Sequence, residues 1–328
     1  MVNNIAINGL GRIGRVFLKI AIEKGIKVIA INDIVDIPTI VYFMKYDSVY
    51  GPYKEKIETG NDFIKIKGKK ILVYNEKDPE KLPWKKLGID VVIESTGVFT
   101  DRESCMKHIK AGAKKVILSA PGDNMDITVV PGVNMDLLKK EHTIISMASC
   151  TTNCLAPIVK VLNDNFKIEK GYMTTCHAYT NDQRIVDSPH KKLRRGRAGA
   201  INIIPTSTGA AKSVGEVIPS LKGKLDGLSL RVPTSCGSIV DFVCIVSKPT
   251  TKEEVNEVIK KASLNELKGI LEYTEDEIVS TDIIGNSSSS VFDSKLTQVN
   301  GNMIKVLSWY DNEYGYSNRL VDLVKTIR

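Results

Sequence analysis

The chain is predicted to be α/β, with a doubly wound parallel-sheet domain followed by an α+β domain on a mixed or antiparallel sheet. Three observations lead there. In the first half, short continuous apolar runs alternate with helix-period patterns, as in parallel sheets covered on both faces. A glycine-rich turn joins the first of these runs to the first helical pattern. In the second half the apolar runs are longer and separated by different spacings. A length of 328 residues with 42% apolar side chains accommodates two domains with substantial cores.

Taken in order, Ile5–Ile7, Val28–Ile31, Ile71–Val73, Val91–Glu94, Val116–Leu118 and Thr143–Ile145 read as buried strands. Between the first two, Ile13, Val16, Phe17, Ile20 and Ala21 fall at helical spacing. Such βαβ alternation predicts the doubly wound sheet. Further on, Ser238–Val246 and Met303–Trp309 read as long strands, with a helix at Lys252–Ala262 between them. Ser287–Ser290 is a polar patch, read as a loop. Leu320, Leu323, Val324 and Ile327 form the stripe of a terminal amphipathic helix expected to dock on the first domain. The expected division is 1–149, completed by the helix 314–328, and 150–313.

The net charge is +8. Nucleic acid is not expected as a main partner, because the lysines are spread along the chain. The one dense basic cluster, 190–197, lies between segments assigned to chemistry. The N-terminus, Met1-Val2-Asn3-Asn4, has no basic leader region, and no window approaches the roughly 18–20 apolar residues of a membrane span. No signal peptide, no membrane span and a cytoplasmic location are expected. The six cysteines, at 105, 150, 154, 176, 236 and 244, form no C-x-x-C pair, and the four histidines are scattered. Free thiols and no metal site are therefore expected.

Gly9-Leu10-Gly11-Arg12-Ile13-Gly14 leaves the first strand and opens the first helix, and Asp33 ends the second strand. That context turns a weak motif into a dinucleotide-binding prediction of Rossmann type. The glycines allow close backbone approach, and the helix amides receive a pyrophosphate. Asp33 would accept bonds from ribose hydroxyls and repel a 2′-phosphate, which favours NAD. Ser95-Thr96-Gly97 and Ser119-Ala120-Pro121 follow later strands, where small hydroxyl residues would contact the cofactor.

Ser149 precedes Cys150 at the expected start of a helix through Leu155, Ile158, Val159 and Leu162. A thiol there has its pKa lowered by the helix dipole, and nearby amides can form an oxyanion hole. From the residues alone, a nucleophile and a buried inert thiol both remain open. Pro157 suggests a kink, or a helix that becomes regular only after it. Cys154 reads as a core thiol, and Cys105, Cys176, Cys236 and Cys244 likewise. His177 ends the β-like run Gly171–Cys176 and begins a polar stretch, whereas His108, His142 and His190 read as surface residues.

At this point a resemblance appears. The opening INGLGRIGR, Ser149-Cys150-Thr151-Thr152-Asn153-Cys154 and His177-Ala178-Tyr179-Thr180 resemble phosphorylating glyceraldehyde-3-phosphate dehydrogenases. So do the segments 202–212, Leu230–Thr234 and Trp309–Tyr316, in the same order along the chain. The resemblance implies Cys150 as nucleophile and His177 as its base. It implies a thiohemiacetal, then a thioester attacked by inorganic phosphate. Asn312 would orient the nicotinamide carboxamide, with Tyr316 packing nearby. Thr180 and Arg231 would bind the substrate phosphate, and Ser149, Thr151, Arg195, Thr208 and Gly209 the attacking phosphate. It also implies glyceraldehyde 3-phosphate as substrate, in glycolysis or gluconeogenesis, and a homotetramer.

Departures are few. Tyr50 and Met135 stand where the family often has His. Ser188 precedes Pro189, where many NAD-type bacterial members have a larger apolar residue, which leaves NADP use open beside NAD. The alternative is a sister enzyme acting on erythrose 4-phosphate, whose relatives lose parts of the pattern intact here at 207–212.

Overall fold

A computed structural model of the chain describes residues 3–327. Met1, Val2 and Arg328 lie outside the described residues, and with them the outer ends of the segments 1–149 and 314–328 and part of the leader reading. Contacts divide the chain into two units. One comprises the chain up to Val129, Asp136–Ala148 and the chain from Ser317. The other comprises Val130–Met135 and Ser149–Tyr316.

The first unit holds a nine-stranded sheet. Its order is Ile57–Thr59, Phe63–Ile66, Lys69–Tyr74, Lys27–Asn32, Asn4–Asn8, Val91–Glu94, Lys115–Leu118, Ile144–Ser146 and Ile127–Thr128. Pairing is parallel from Lys69–Tyr74 onward, and antiparallel only among the first three strands. The continuous apolar runs have a direct cause: Ile5, Ala6, Ile7, Val92 and Ile93 are all fully buried, so neither face of these strands meets water. The helix Arg12–Glu23 buries Val16, Phe17, Ile20 and Ala21 as its spacing predicts. In the same unit, Asn3 Nδ2 donates to the carbonyls of Val324 and Ile327, tying down the end of the last helix, which runs Tyr314–Thr326. Among the described residues, no helix is long and apolar enough to cross a membrane.

The second unit holds a seven-stranded mixed sheet. Its order is Ile204–Ser207, Leu225–Val232, Ile168–Ala178, Ser238–Val246, Met303–Tyr310, Ser290–Asn300 and Leu271–Thr274. Ile168–Ala178 pairs in parallel with Leu225–Val232 and antiparallel with Ser238–Val246. The strand Ser238–Val246 alternates buried and half-buried residues throughout, the period of a sheet with one covered face. The helix Lys252–Leu264 starts at a capping box between Thr251 and Glu254.

Two expectations are corrected here. Ser287–Ser290 is not simply a loop: Ser288–Ser290 are buried, and Ser290 opens a strand, its hydroxyl 2.8 Å from that of Ser308. A cross-strand partner makes a buried serine tolerable, and no local pattern announces it. The helix does not become regular only after Pro157: Cys150–Phe166 includes the turns before it. Leu155, Ile158, Val159 and Leu162 are buried on both sides of the proline, and that packing holds the helix across one missing amide donor.

Candidate active site

The first unit contains the glycine turn. Gly9 has φ +91°, and a Cβ there would lie 2.7 Å from the Thr96 amide nitrogen. A Cβ on Gly14 would lie 2.0 Å from the Gly9 carbonyl oxygen. Only glycine fits either position. Gly11 differs: it is the N-cap of the helix, makes no side-chain cap, and a Cβ there would meet nothing within 4 Å. Open space in front of a helix start is what an incoming pyrophosphate requires. Asp33 Oδ2 accepts from the Leu10 amide at 2.6 Å, which ties the acid to the turn. Each of its oxygens has a further lone pair for a ribose hydroxyl. Arg12 pairs with Asp47 at 3.0 Å and stacks over Tyr50, the position where the resemblance departs. Ile13 is half-buried beside it on the helix. These residues fit an NAD.

The hydroxyls beyond the later strands behave otherwise than expected. Ser95 Oγ donates inward to the Gly9 carbonyl at 2.7 Å, and Thr96 Oγ1 donates to Glu94. Thr96 therefore offers a ligand its backbone and methyl group, not a free hydroxyl proton. Gly97 beside it is exposed at φ +72°. Ser119 is half-buried, and its amide donates to the Glu94 carbonyl at 2.9 Å.

The second unit contains the thiol. Ser149 caps the helix Cys150–Phe166, its Oγ accepting from the Thr152 amide at 3.0 Å. Cys150 is thus the first helical residue, two positions after Ala148, a non-glycine residue at φ +52°. His177 lies on the strand Ile168–Ala178, and its Nε2 is 3.4 Å from Cys150 Sγ. His177 Nδ1 is 2.7 Å from the Ala178 carbonyl oxygen, a contact that a ring proton on Nδ1 would satisfy. In that tautomer Nε2 is the unprotonated nitrogen, turned to the thiol; the contact with Arg231 asks for the other tautomer, with Nδ1 bare. The Arg231 guanidinium comes within 2.8 Å of the same Nδ1 and donates to the same carbonyl at 3.2 Å. Burial first, then the Arg231 charge, hold the His177 imidazole down to about 3.

The thiol itself is corrected. Helix position predicts a lowered pKa, but burial pushes the Cys150 thiol up, against the opposing pull of Arg231 and of bonds from Thr151. Loss of solvation outweighs the helix end. Cys154 is a core thiol as read, close to Ser290 and Ser308, and burial pushes it up to about 12.

The anion-site candidates each have partners of their own. Arg195 Nε donates to Thr206 at 2.8 Å, its Nη2 to the Ser207 carbonyl at 3.1 Å, and its Nη1 pairs with Asp182. Thr208 accepts from the Ala210 amide at 3.2 Å, and Gly209 N-caps the helix Ala210–Val217 without a side-chain cap. Thr180 is held by Gln183, whose Oε1 accepts from its amide at 2.9 Å. Thr151 faces inward, 2.9 Å from the Tyr310 hydroxyl, so its side chain is committed to the core rather than to a ligand. Asn312 Oδ1 accepts from Ser238 Oγ at 3.0 Å and from the Gly237 amide at 3.2 Å, which fixes the orientation of its amide. Tyr316 is buried, and burial, then the nearby Cys150, push its phenol well above its usual range.

Three contributors escaped sequence reasoning. Ser238 joins the Ala178 amide to Asn312. Tyr310 bridges Thr151 and Thr175 and lies edge-on to His177 at 5.9 Å. Asp182 holds both Arg195 and His190, so His190, read as a surface residue, is half-buried and partnered. A buried strand end carrying Ser or Tyr was the available signal, but it names no partner.

Two family models cover most of the chain: "Glyceraldehyde 3-phosphate dehydrogenase, NAD binding domain" over residues 3–102, and "Glyceraldehyde 3-phosphate dehydrogenase, C-terminal domain" over residues 149–312. A glyceraldehyde-3-phosphate dehydrogenase of Borreliella burgdorferi is 56% identical, covering 98% of this chain and 99% of its own. One from Thermotoga maritima is also 56% identical, with 98% of each chain covered. One from Geobacillus stearothermophilus is 53% identical over 100% of this chain and 98% of its own. The glycine turn, the paired thiol and imidazole, and this end-to-end similarity agree, and the chain belongs to the glyceraldehyde-3-phosphate dehydrogenase family.

Proposed function

We propose that this chain oxidises glyceraldehyde 3-phosphate to 1,3-bisphosphoglycerate with NAD and inorganic phosphate, through covalent intermediates on Cys150. The observation that carries the reading is the 3.4 Å approach of His177 Nε2 to Cys150 Sγ. A raised thiol and a lowered imidazole mean that the resting pair is neutral. The thiolate then forms as the aldehyde is attacked, its proton passing to His177 Nε2. The sulfur joins the carbonyl carbon, and His177 returns the proton to the former carbonyl oxygen to give a thiohemiacetal. His177, once unprotonated again, takes the hemiacetal hydroxyl proton. NAD would supply the hydride acceptor; Gly9, Gly11, Arg12, Ile13, Gly14 and Asp33 would hold its dinucleotide, and Asn312 and Tyr316 are read from the resemblance as nicotinamide contacts.

The resulting thioester is attacked by phosphate, and the Cys150 thiolate departs. Arg195, Thr208, Gly209 and Ser149 are read as the attacking-phosphate site, and Arg231 with Thr180 as the substrate-phosphate site. Their guanidinium, amide and hydroxyl donors match two anions near one carbonyl. NADH formation with glyceraldehyde 3-phosphate tests this. With phosphate or arsenate, turnover should be sustained. Without either, it should stop after about one equivalent per thiol, as expected of a trapped acyl-enzyme. Equal sustained turnover in both would remove the phosphorolysis step. The reading on erythrose 4-phosphate is not favoured, since the relatives reported above carry the name of the three-carbon enzyme.

The reading extends to assembly and location. Ile185, Val186, Leu193, Ile201 and Ile203 are exposed in one short stretch of the second unit, more apolar surface than a free loop needs. They support the homotetramer. Sedimentation of the purified protein should give four chains; a monomer at micromolar concentration would end that reading. Six free cysteines support a reducing, cytoplasmic location.

A further inference from the structure

Beneath the glycine turn, buried polar side chains cross the carboxyl ends of three neighbouring strands. Asn8 stands in register with Asn32 on one side and Glu94 on the other. Asn32 Nδ2 donates to Asn8 Oδ1 at 2.7 Å, and Asn8 Nδ2 donates to Glu94 Oε2 at 2.6 Å. His108 approaches the same Glu94 oxygen with Nε2 at 3.0 Å. Trp84 Nε1 donates to His108 Nδ1 at 2.9 Å, which places the ring proton on Nε2, aimed at Glu94. His108 is fully buried, so its surface reading is wrong: its lysine neighbours point elsewhere on the helix Arg102–Lys110, and its own partners come from distant segments.

The other oxygen of Glu94 has a different task. It accepts from the Thr96 amide at 2.8 Å and from the Thr96 hydroxyl. The Thr96 backbone is in turn what forbids a Cβ on Gly9. A carboxyl in an apolar core is costly, and Val92 and Ile93 show that this strand accepts apolar residues. Packing alone does not call for Glu94.

We propose that Glu94 is a positioning residue for the dinucleotide site. One of its oxygens, held by Asn8 and by the Trp84–His108 pair, fixes the carboxyl; the other sets Thr96 against the glycine turn. The proposal rests on the reading that this turn takes NAD. It gives the buried row a function on the cofactor side of the reaction, without contact to the cofactor.

The test uses the full-length enzyme with Glu94→Gln, Thr96→Val and the double variant. Gln keeps the shape but turns an NH2 group toward one of the two sets of donors. The Kd for NAD, by calorimetry, and its KM should each rise about tenfold. The kcat at saturating NAD should stay within about threefold of wild type. Thr96→Val should shift binding in the same direction, and the double variant should be little worse than the weaker-binding single one, because the two act as one unit. A folded Glu94→Gln protein with wild-type NAD affinity would overturn the proposal, as would additive losses in the double variant. Should Glu94→Gln fail to fold, wild-type affinity in Thr96→Val would overturn it alone. Failure of the cofactor reading would look different, since the wild-type protein itself would give no NAD isotherm.

Discussion

Cys150→Ser should lower dehydrogenase turnover by at least about a thousandfold while leaving NAD affinity within a few-fold of wild type. Serine keeps the cap-adjacent position and nearly the volume of the thiol, so the helix Cys150–Phe166 should form as before. What is lost is a sulfur that gives up its proton to His177 within reach of the carbonyl. A hydroxyl is a far weaker nucleophile without a stronger base. The proposed dinucleotide contacts at Gly9–Gly14 and Asp33 do not involve this side chain. Alkylation offers an independent check. Iodoacetamide should label Cys150 and spare Cys105, Cys154 and Cys244, whose thiols burial pushes up to about 12. Turnover above about one per cent of wild type in Cys150→Ser would remove this cysteine from the nucleophile role.

His177→Asn should lower kcat by about 10²–10⁴-fold, the usual contribution of a positioned base. It should also slow alkylation of Cys150 at neutral pH. The pH dependence follows from the directions of the two shifts. The imidazole, held down to about 3, is unprotonated throughout the range pH 5–9 and adds no inflection of its own there. The thiol, pushed up by burial, is protonated at neutral pH. In the cofactor-free protein, alkylation should therefore rise with pH, with a midpoint above the ~8.5 of a free thiol. A rate already at its plateau near pH 6 would mean a preformed thiolate–imidazolium pair and would contradict this description. An unchanged alkylation rate in His177→Asn would take His177 out of thiol activation.

Much of the molecule was legible in advance because its signals are local. The strands around Ile5–Ile7 and Val91–Glu94 show as continuous apolar runs because both their faces are covered. The dinucleotide motif shows because the positions that forbid a Cβ, Gly9 and Gly14, must be glycine. Cys150 shows because a capping serine sits immediately before it. Resemblance then gave the pair its chemistry, a step that spacing could not supply.

Other properties depend on partners far away in sequence. His108 looks like a surface histidine from its neighbours, and only Trp84, Asn8 and Glu94 make it a buried one. The Thr96 hydroxyl was read as a ligand contact, yet Glu94 turns it inward. Asn312 was recognisable, but the serine that orients it comes from 74 residues earlier.

The opening thiol divides the two kinds of information most clearly. By itself the sequence determined its place, the first residue of a helix after a strand, because capping and periodicity act over a few residues. Only the tertiary structure decided its protonation and its partner. Strand pairing brings His177 and Arg231, opposite one another in register, to the thiol. The burial that accompanies this assembly encloses His177 and half-buries Cys150, holding the imidazole down and pushing the thiol up. Desolvation depends on the whole surrounding fold, so it overrides what the helix start alone would predict.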